Sequence, residues 1–559
     1  MRTVSRKWWK ESVVYQIYPR SFMDSNEDGI GDLKGVTSKL DYLKDLGIDV
    51  IWICPMYKSP NDDNGYDISD YQDIMDEFGT MADFDELLEE VHKREMKLIL
   101  DLVINHTSDE HPWFIESRSS KDSPKRDWYI WRDGKNGKEP NNWESIFNGS
   151  AWKYDEKTDQ YFMHIFSERQ PDLNWENPNV REALYEMVNW WLDKGVDGFR
   201  VDAISHIKKE PGLKDMPNPK NLDYVPSFSK MMNVEGIDPF LSEFAQKTIH
   251  NYDIMTVGEA NGVKLEDADK WVSEEHGYFD MIFQFEFLGL WQKDGDGTVN
   301  VQALKENLSK WQAGLEGKGW NALFIENHDQ PRRVSTWGND QELWKESAKM
   351  LAALYFLMKG TPFIYQGQEI GMTNVQFPSI EDYNDVGMIN YYKLETEKGR
   401  PHEDIMQVIW KQGRDNSRTP MQWHAGAMAG FTTSNKTWMK LNPNYVDINV
   451  SDQMNDPDSI LNFYKALIKL RKENEVFVYG SYKLLLADHP SLFVYTRTFG
   501  ENKALVINNF SEKHTECKLP AEVSIISSQP VLHNYEVEEE KLVEKMTLKP
   551  YETRVYLFN

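Results

Sequence analysis

The feature that most constrains the fold of this chain is a regular alternation of two kinds of segment. Short runs rich in β-branched residues are each followed by a longer stretch with apolar residues at three-to-four spacing. Alternation of strand and helix implies parallel pairing, and eight such units predict a (β/α)8 barrel of the α/β class. The runs predicted as strands are Val13–Ile17, Asp49–Ile53, Lys97–Val103, Gly198–Val201, Met255–Val257, Met281–Phe285, Ala322–Ile325 and Phe363–Tyr365.

The longer stretches have the period of helices that bury one face. Pro178 or Asn179 marks the start of one of them, since both residue types favour helix N-termini. A final helix is expected near Ile460–Arg471. The clearest helical patterns before it are Val36–Leu46, Ala82–Arg94, Val180–Lys194 and Leu343–Met358.

The alternation is interrupted in ways that predict a domain organisation. Residues 106–174 are polar, rich in Trp, Asn, Gly and Lys, and read as a subdomain inserted after the third strand. Residues 481–559 have a period of two between turn signals, which predicts a C-terminal antiparallel β-sandwich. The barrel would then consist of residues 1–105 and 175–480, and within it the stretch 373–430 reads as loop-rich.

Charge and composition exclude several classes of partner. The net charge of −28 repels phosphate backbones and anionic lipid surfaces, so we expect neither nucleic acid nor membrane as a partner. The 20 Trp, 26 Tyr and 26 Phe residues argue against disorder, and flat apolar rings also suit the C–H faces of sugars. The charge is compatible with a neutral or cationic small molecule, which we expect to be bound by a monomer.

The N-terminus and the cysteines indicate a cytoplasmic location. Residues 1–9 lack the apolar stretch of a signal peptide, and no run reaches the roughly 18 apolar residues that a membrane span needs. Only Cys54 and Cys517 occur, too few for a disulfide framework or a thiolate zinc site.

Acidic residues stand at the ends of several predicted strands. In a barrel of this kind the chemistry gathers at the C-terminal ends of the strands. A single Asp there commonly caps a turn, but converging acids beside an Arg indicate a functional site. The strand-end segments are Asp101-Leu-Val-Ile-Asn-His106, Gly198-Phe-Arg-Val-Asp202, Val257-Gly-Glu259 and Phe324-Ile-Glu-Asn-His-Asp329.

Two of these carboxyls suffice for retaining glycoside hydrolysis, in which one attacks the anomeric carbon and the other protonates the departing oxygen. Arg200 lies two residues before Asp202, on the same face of the strand, so it would keep Asp202 ionised as the nucleophile. Glu259 has no basic neighbour in sequence and fits the acid/base role. Asp329 and His328 then remain to grip sugar hydroxyls and favour the distorted ring.

These segments, in this order and spacing, resemble the α-amylase family, glycoside hydrolase family 13, essentially from end to end. Gln170-Pro-Asp-Leu-Asn174 looks like the signature of the oligo-1,6-glucosidase branch, and the overall likeness is to bacterial exo-α-1,4-glucosidases. The resemblance implies Asp202 as nucleophile, Glu259 as acid/base and Asp329 as transition-state stabiliser. It thus agrees with the roles inferred from the strand ends.

The resemblance also implies the remainder of the subsite for the terminal glucose. Asp63 and Tyr66 would bind or stack on the sugar, and a salt bridge from Asp63 to Arg414 would close the pocket behind the non-reducing end. Such a wall is what an exo-acting enzyme needs. The residues expected to hydrogen-bond the glucose hydroxyls or line the rim are His106, Arg200, His328 and Phe166.

The residue after the nucleophile, Ala203, bears on linkage. Relatives that prefer α-1,6 bonds commonly have Val there, whereas a smaller residue leaves room for a differently angled aglycone. The interpretation is a preference for α-1,4-linked maltose and short malto-oligosaccharides (EC 3.2.1.20), with transglucosylation possible. The alternative is an oligo-1,6-glucosidase (EC 3.2.1.10).

The loop from Asp24 to Asp32 places oxygen donors at alternate positions around Gly29, and a structural Ca²⁺ is predicted there from this spacing and the family likeness. Gly35 stands where an EF-hand has its bidentate Glu, and an Asx-rich turn is the alternative. The predicted ligands are Asp24, Asn26, Asp28, the Ile30 carbonyl and Asp32.

Other activities are disfavoured. There is no Gly-x-Ser-x-Gly elbow, no Walker-type Gly-Lys-Ser/Thr and no His-Glu-x-x-His, so no organic cofactor is expected. Gln330-Pro-Arg-Arg-Val334 resembles the hydrolases rather than sucrose isomerases. Non-catalytic relatives that serve as transporter subunits lose the acids and carry a membrane anchor, whereas here every acid is present.

Overall fold

The computed structural model describes residues 5–290, 299–521, 523, 529–537 and 542–558. The first four residues of the segment that was inspected for a signal peptide lie outside these ranges. None of the helices in the described ranges is both long and apolar enough to cross a membrane.

Eight parallel strands form the predicted barrel, which confirms the fold class. Their order in the sheet is 6-5-4-3-2-1-8-7 in chain order of the barrel strands, and a parallel bridge between Ile282 and Asn321 joins the two edges. The apolar side chains of these strands are almost wholly buried, as in a packed barrel core. The strands are Val14–Ile17, Val50–Ile53, Lys97–Val103, Gly198–Asp202, Met255–Glu259, Met281–Phe283, Ala322–Leu323 and Thr361–Tyr365.

Helices cover the outside of the barrel. The helix Met81–Lys93 begins with a capping box, in which Thr80 accepts from the Asp83 N–H and Asp83 accepts from the Thr80 N–H. The other helices of the barrel layer include Leu33–Ser38, Leu40–Leu46, Pro178–Lys194, Asp238–Lys247, Ala268–Val272, Val301–Gly314, Trp344–Phe356 and Ile460–Glu473.

One helix prediction was wrong in detail. The single helix expected over Val36–Leu46 is broken at Lys39, where φ is −108° and ψ is 6°, because the Ser38 hydroxyl bonds back to the Gly35 carbonyl and competes with the helix ladder. The start predicted at Pro178 or Asn179 is confirmed, since the helix runs Pro178–Lys194. Its N-cap is Asn177, whose side chain accepts from the Asn179 N–H.

The inserted segment after the third barrel strand has its own small core. A three-stranded antiparallel sheet of Trp131–Arg132, Gln160–Met163 and Trp152–Asp155 packs over buried Trp143 and Ile165. The hairpin runs back to the barrel through Leu173, whose N–H donates to the Asn105 carbonyl. The segment therefore forms one side of the barrel mouth.

The stretch 373–430 is not simply loop, which corrects the sequence interpretation. It contains the helices Val386–Glu397 and His402–Gln412, and the second of these buries Ile405 and Ile409 in a separate apolar cluster. The first helix buries only Gly387, so it has no apolar stripe for a periodicity search to detect.

The C-terminal part forms two antiparallel sheets, as predicted. One face of the larger sheet contributes Phe493 and Tyr495 to the barrel core, and the other face packs on the smaller sheet through Val494 and Leu548. The larger sheet is ordered Ser481–Leu485, Leu492–Phe499, Asn502–Asn509, Thr553–Phe558 and Pro530–His533, and the smaller pairs Thr515–Lys518 with Lys545–Leu548.

Candidate active site

Two of the three catalytic carboxyls predicted from sequence meet around one buried guanidinium. Arg200, only 1% exposed, donates from Nη1 to Asp202 at 2.6 Å and from Nη2 to Glu259 at 2.5 Å. The Ala203 N–H also donates to Glu259 at 3.2 Å. This corrects the view that Arg200 distinguishes Asp202 from a cation-poor Glu259, since both acids share the same cation.

Burial sets the electrostatics of this pair. Desolvation raises the pKa of Asp202 well above its usual value, attraction to Arg200 lowers it, and the nearby Glu259 carboxylate raises it again. The net shift in the pKa of Asp202 is upward because desolvation outweighs Arg200, whereas the sequence predicted that Arg200 keeps Asp202 ionised. Retaining glycosidases use two neighbouring carboxyls of this kind, one as the nucleophile and one as the acid.

Asp101 belongs to this cluster, although the sequence assigned it no role. Parallel register places it opposite Arg200, and it accepts from Arg200 at 2.8 Å, from the Tyr66 hydroxyl at 2.9 Å and from Trp52 Nε1 at 3.1 Å. The sequence did offer a signal for Asp101, because it is the first residue of the strand-end segment Asp101–His106 of the third strand. These hydrogen bonds hold Arg200 and Tyr66 in position at the mouth of the barrel.

Asp329 lies across the mouth in a strongly cationic setting. His328 Nε2 is 3.0 Å from its Oδ2, and Arg418 Nη2 donates to its Oδ1 at 2.7 Å. Burial alone would raise the pKa of Asp329, but His328, Arg414 and Arg418 outweigh it and hold the pKa well below 3.8. Asp329 is therefore ionised, and Arg418 is a contact that the sequence did not assign.

His328 is the charged partner of Asp329. Burial lowers its pKa, but attraction to Asp329 outweighs that effect and raises the pKa to about 10. The Tyr66 ring stacks on the imidazole with centroids 5.1 Å apart and planes 5° apart. Of these two predicted site residues, Tyr66 lines the cavity and His328 is stacked behind it.

The predicted contact between Arg414 and Asp63 is present. Arg414 Nη2 donates to Asp63 Oδ1 at 3.1 Å, across 351 residues of chain, and Arg414 Nη1 lies 3.4 Å from Asp329. Phe147 from the inserted segment covers the guanidinium, with its ring centre 4.8 Å from Arg414 Cζ. Arg414 also bonds to Asp385, which sequence reasoning missed.

The segment Gln170–Asn174, quoted above as a family signature, has a physical role. Gln170 Nε2 donates to Asp63 at 3.2 Å and lies 3.2 Å from His106 Nε2. Asp172 pairs with buried Lys209 at 2.5 Å, and Lys209 donates to Asn105 at 2.9 Å. These bonds tie the inserted segment to the ends of the third and fourth barrel strands.

His106 and Phe166 lie where the wall meets the rim. His106 Nε2 is 3.0 Å from the Tyr66 carbonyl, and burial lowers its pKa to about 4, so it is neutral at pH 7. The Phe166 ring packs on His106 at 5.1 Å and on His206 at 5.8 Å. His206 lines the cavity too, and its Nε2 has no hydrogen-bond partner among the described residues.

One cavity of about 710 Å³ is lined by the predicted site residues Asp63, Tyr66, His106, Phe166, Asp202, Ala203, Glu259, Asp329 and Arg414, whereas Arg200 and His328 lie behind its lining. Ala203 is at its wall with φ 44° and ψ 30°, a left-handed conformation. The remaining lining includes the apolar side chains Phe228, Met232 and Phe285 and the charged side chains Lys264 and Glu286.

The predicted cation loop is folded on itself. Asp24 accepts from the Asn26 and Gly29 N–H groups, Asp28 from Ile30, and Asp32 caps the next helix at Gly35. Within the described residues, no group of three or more His, Cys, Asp or Glu side chains is arranged to hold a metal ion. The donor set is nevertheless all oxygen, the chemistry that Ca²⁺ prefers, so the calcium site stays a prediction.

Comparison with known proteins gives matches over the whole chain. The family model described as "Alpha amylase, catalytic domain" matches residues 16–480, and "Alpha-amylase SusG C-terminal domain" matches 492–555. A probable oligo-1,6-glucosidase 3 of Bacillus subtilis is 59% identical over 99% of this chain and 100% of its own.

Two further relatives are similar over nearly their full lengths. The oligo-1,6-glucosidase of Parageobacillus thermoglucosidasius is 54% identical over 99% of both chains. The solved structure of a Bacillus licheniformis trehalose-6-phosphate hydrolase has a TM-score of 0.93 and 44% identity, covering 99% of this chain and 100% of that one. The chain therefore belongs to the α-amylase family, glycoside hydrolase family 13, in its oligo-1,6-glucosidase branch.

Proposed function

We propose that this glycoside hydrolase is a retaining, exo-acting α-glucosidase that releases glucose from the non-reducing ends of short α-1,6-linked oligosaccharides. The observation that carries the exo-acting part is the contact of Arg414 with Asp63 and Asp329. This contact supports a wall on one side of the cavity, with which one terminal sugar would fit beside the carboxyl pair and a continuing chain would not.

The reaction follows from the carboxyl pair. Asp202 attacks the anomeric carbon while the protonated Glu259 donates its proton to the glycosidic oxygen, so that the C–O bond to the aglycone breaks as the bond to Asp202 forms. A water then attacks the same carbon, Glu259 accepts its proton, and Asp202 leaves as a carboxylate. Arg200 contacts both carboxyls throughout and keeps them aligned.

The charged floor assists the step in which positive charge develops on the sugar ring. Asp329 is held ionised by His328 and Arg418, and its carboxylate accepts sugar hydroxyls and attracts the oxocarbenium-like ring. The flat Tyr66 ring lies beneath the same sugar. A sugar hydroxyl can replace water in the second step, which would give transglucosylation.

The linkage is inferred from the relatives. Those 54–59% identical over nearly the whole chain are named oligo-1,6-glucosidases, whereas the α-1,4 preference inferred from Ala203 has no support from them. Ala203 does leave space beside the nucleophile, so maltose is the substrate most worth comparing. We therefore propose α-1,6 as the preferred linkage and α-1,4 as the alternative.

One panel of substrates tests the proposal. The purified enzyme is assayed for kcat/KM on isomaltose, isomaltotriose, maltose, nigerose, kojibiose, trehalose, trehalose 6-phosphate and sucrose, with the released sugar followed by NMR. We expect the highest kcat/KM on isomaltose or isomaltotriose, and α-glucose as the first product. A higher kcat/KM on maltose would establish the α-1,4 alternative, and β-glucose as the first product would refute retention.

A further inference from the structure

Asp385 has no part in the reaction above, yet it is wholly buried against the wall of the pocket. Its Oδ2 accepts from the Arg414 backbone N–H at 2.9 Å. Its Oδ1 accepts from Arg414 Nε at 2.9 Å and lies 2.8 Å from Arg414 Nη2. A carboxylate that grips both the backbone and the guanidinium of one Arg leaves that side chain little freedom.

Besides Asp385, the guanidinium of Arg414 contacts two carboxylates that line the cavity. Nη2 bridges Asp385 and Asp63, and Nη1 points at Asp329. Attraction to Arg414 and Arg418 outweighs the burial of Asp385 and lowers its pKa, so the carboxylate is charged at pH 7. The position of Arg414, and with it the wall, therefore depends on its buried ion pair with Asp385.

Asp385 is itself held in place from outside the barrel strands. It caps the helix Val386–Glu397 by accepting from the Gly387 N–H at 3.0 Å, and its own N–H donates to Asp415 at 2.9 Å. Farther along the same helix, Asn390 donates to the Phe147 carbonyl at 3.2 Å. The helix therefore connects Arg414 to the inserted segment that covers it.

We propose that Asp385 is a positioning residue for exo-action: it orients Arg414 so that the pocket is closed at the non-reducing end of the substrate. The proposal rests on the proposed function of the wall as the limit of the glucose subsite. In this proposal the helix Val386–Glu397 keeps Arg414 at a fixed distance from Asp202 and Glu259.

The test compares Asp385→Asn with Asp382→Asn. The first variant removes the charge but keeps an oxygen for the helix cap, because Asn caps helices as well as Asp. The control removes the nearby carboxylate that pairs with Lys440 on the surface. We expect Asp385→Asn to lower kcat/KM on isomaltose by about 10- to 100-fold, mainly through KM, since misplacing a positioning group costs about that much. Asp382→Asn should match the wild type.

A double-mutant cycle separates positioning from general damage. If Asp385 acts through Arg414, Asp385→Asn adds little to the effect of Arg414→Lys, whereas independent effects would multiply. Multiplying effects, or an Asp385→Asn variant with wild-type kcat/KM, would overturn the proposal. Asp385→Ser, which also retains the cap, serves if Asp385→Asn fails to fold.

A crystal structure of Asp385→Asn gives a readout that does not depend on activity. We expect the contact between Arg414 and Asp63 to be lost, and its retention would overturn the positioning role. A wild-type enzyme that cleaves none of the α-glucobioses would instead refute the proposed function, and the crystal structure would still decide the role of Asp385.

Discussion

Arg200 donates to Glu259 at 2.5 Å, although 59 residues separate the two in the chain. The contact exists because the fourth and fifth barrel strands are neighbours in parallel register, with Arg200 opposite Val257. One buried cation thus serves two acids, and the acids must differ in role through their geometry toward the substrate rather than through their distance from positive charge.

Removing either acid should separate those roles. Asp202→Asn should lower kcat at least about 10⁴-fold on every substrate, because no glucosyl–enzyme can form. Glu259→Gln should lose about 10²- to 10⁴-fold on isomaltose but far less on 4-nitrophenyl α-glucoside, whose leaving group needs no proton. Steady-state kinetics with both substrates measure this, with Glu266→Gln, an exposed acid, as control. Equal losses on the two substrates for Glu259→Gln would contradict the assignment.

The ion pair of Lys209 and Asp172 should be essential for the inserted segment. Both side chains are nearly inaccessible to solvent, so Lys209→Met leaves a buried unpaired carboxylate and should cost about 3–5 kcal/mol. The double variant Lys209→Met/Asp172→Asn should recover part of the loss. Thermal unfolding and kcat/KM measure both effects.

The control is Lys208→Met, which removes a pair with exposed Glu176 and should change stability by at most about 1 kcal/mol. A similar loss of stability in Lys209→Met and Lys208→Met would contradict the prediction.

Ala203 is in a left-handed conformation, which affects how its role in linkage is tested. Ala203→Val should narrow the pocket and shift the ratio of kcat/KM values toward isomaltose by at most about 1–3 kcal/mol. The β-branched side chain at positive φ should also cost about 1–3 kcal/mol of stability. Ala203→Gly, which tolerates this φ, should unfold near the wild-type temperature. A Val variant as stable as the wild type would show that the backbone adapts.

The raised pKa of His328 makes stability depend on pH in a defined direction. The pKa is about 10 in the folded protein and about 6.5 when unfolded, so the contribution is complete below pH 6.5 and is lost as the pH rises toward 10. The stability difference between wild type and His328→Gln should therefore shrink by roughly 2–3 kcal/mol between pH 6.5 and 9. Urea unfolding measures it. His276→Gln, at an exposed site, should show no such trend, and a constant difference for His328→Gln would refute the ion pair.

Calcium should stabilise the protein without affecting the chemistry. If the loop Asp24–Asp32 binds Ca²⁺, a concentration about 100-fold above the Kd adds about 2.7 kcal/mol, and EDTA should lower the Tm while kcat at 25 °C stays constant. Asp28→Asn, which can still accept from the Ile30 N–H, should lose most of the shift. An unchanged Tm on adding Ca²⁺ to EDTA-treated protein would exclude the site.

The sequence by itself determined the barrel and the residues of its mouth. Strand-forming runs and the acids at their ends are local patterns, and each can be read without knowing its neighbours, whereas Asp63 and Arg414 were assigned only through the family resemblance. The helix Val386–Glu397 was missed because it buries a single Gly and so has no apolar period. The break at Lys39 was missed because side-chain bonds to the backbone ended a helix whose apolar pattern continued.

Only the tertiary structure decided which of those residues contact one another. Barrel closure brings Arg200 onto Glu259 as well as Asp202, places Asp101 beneath them, and sets Asp385 behind Arg414. These contacts join segments far apart in the chain, and their strength comes from burial, which no single segment has alone. The residues that carry the chemistry could therefore be recognised at the strand ends. Their burial and the orientation of each charge depend on the closed barrel and on the segments packed over its mouth.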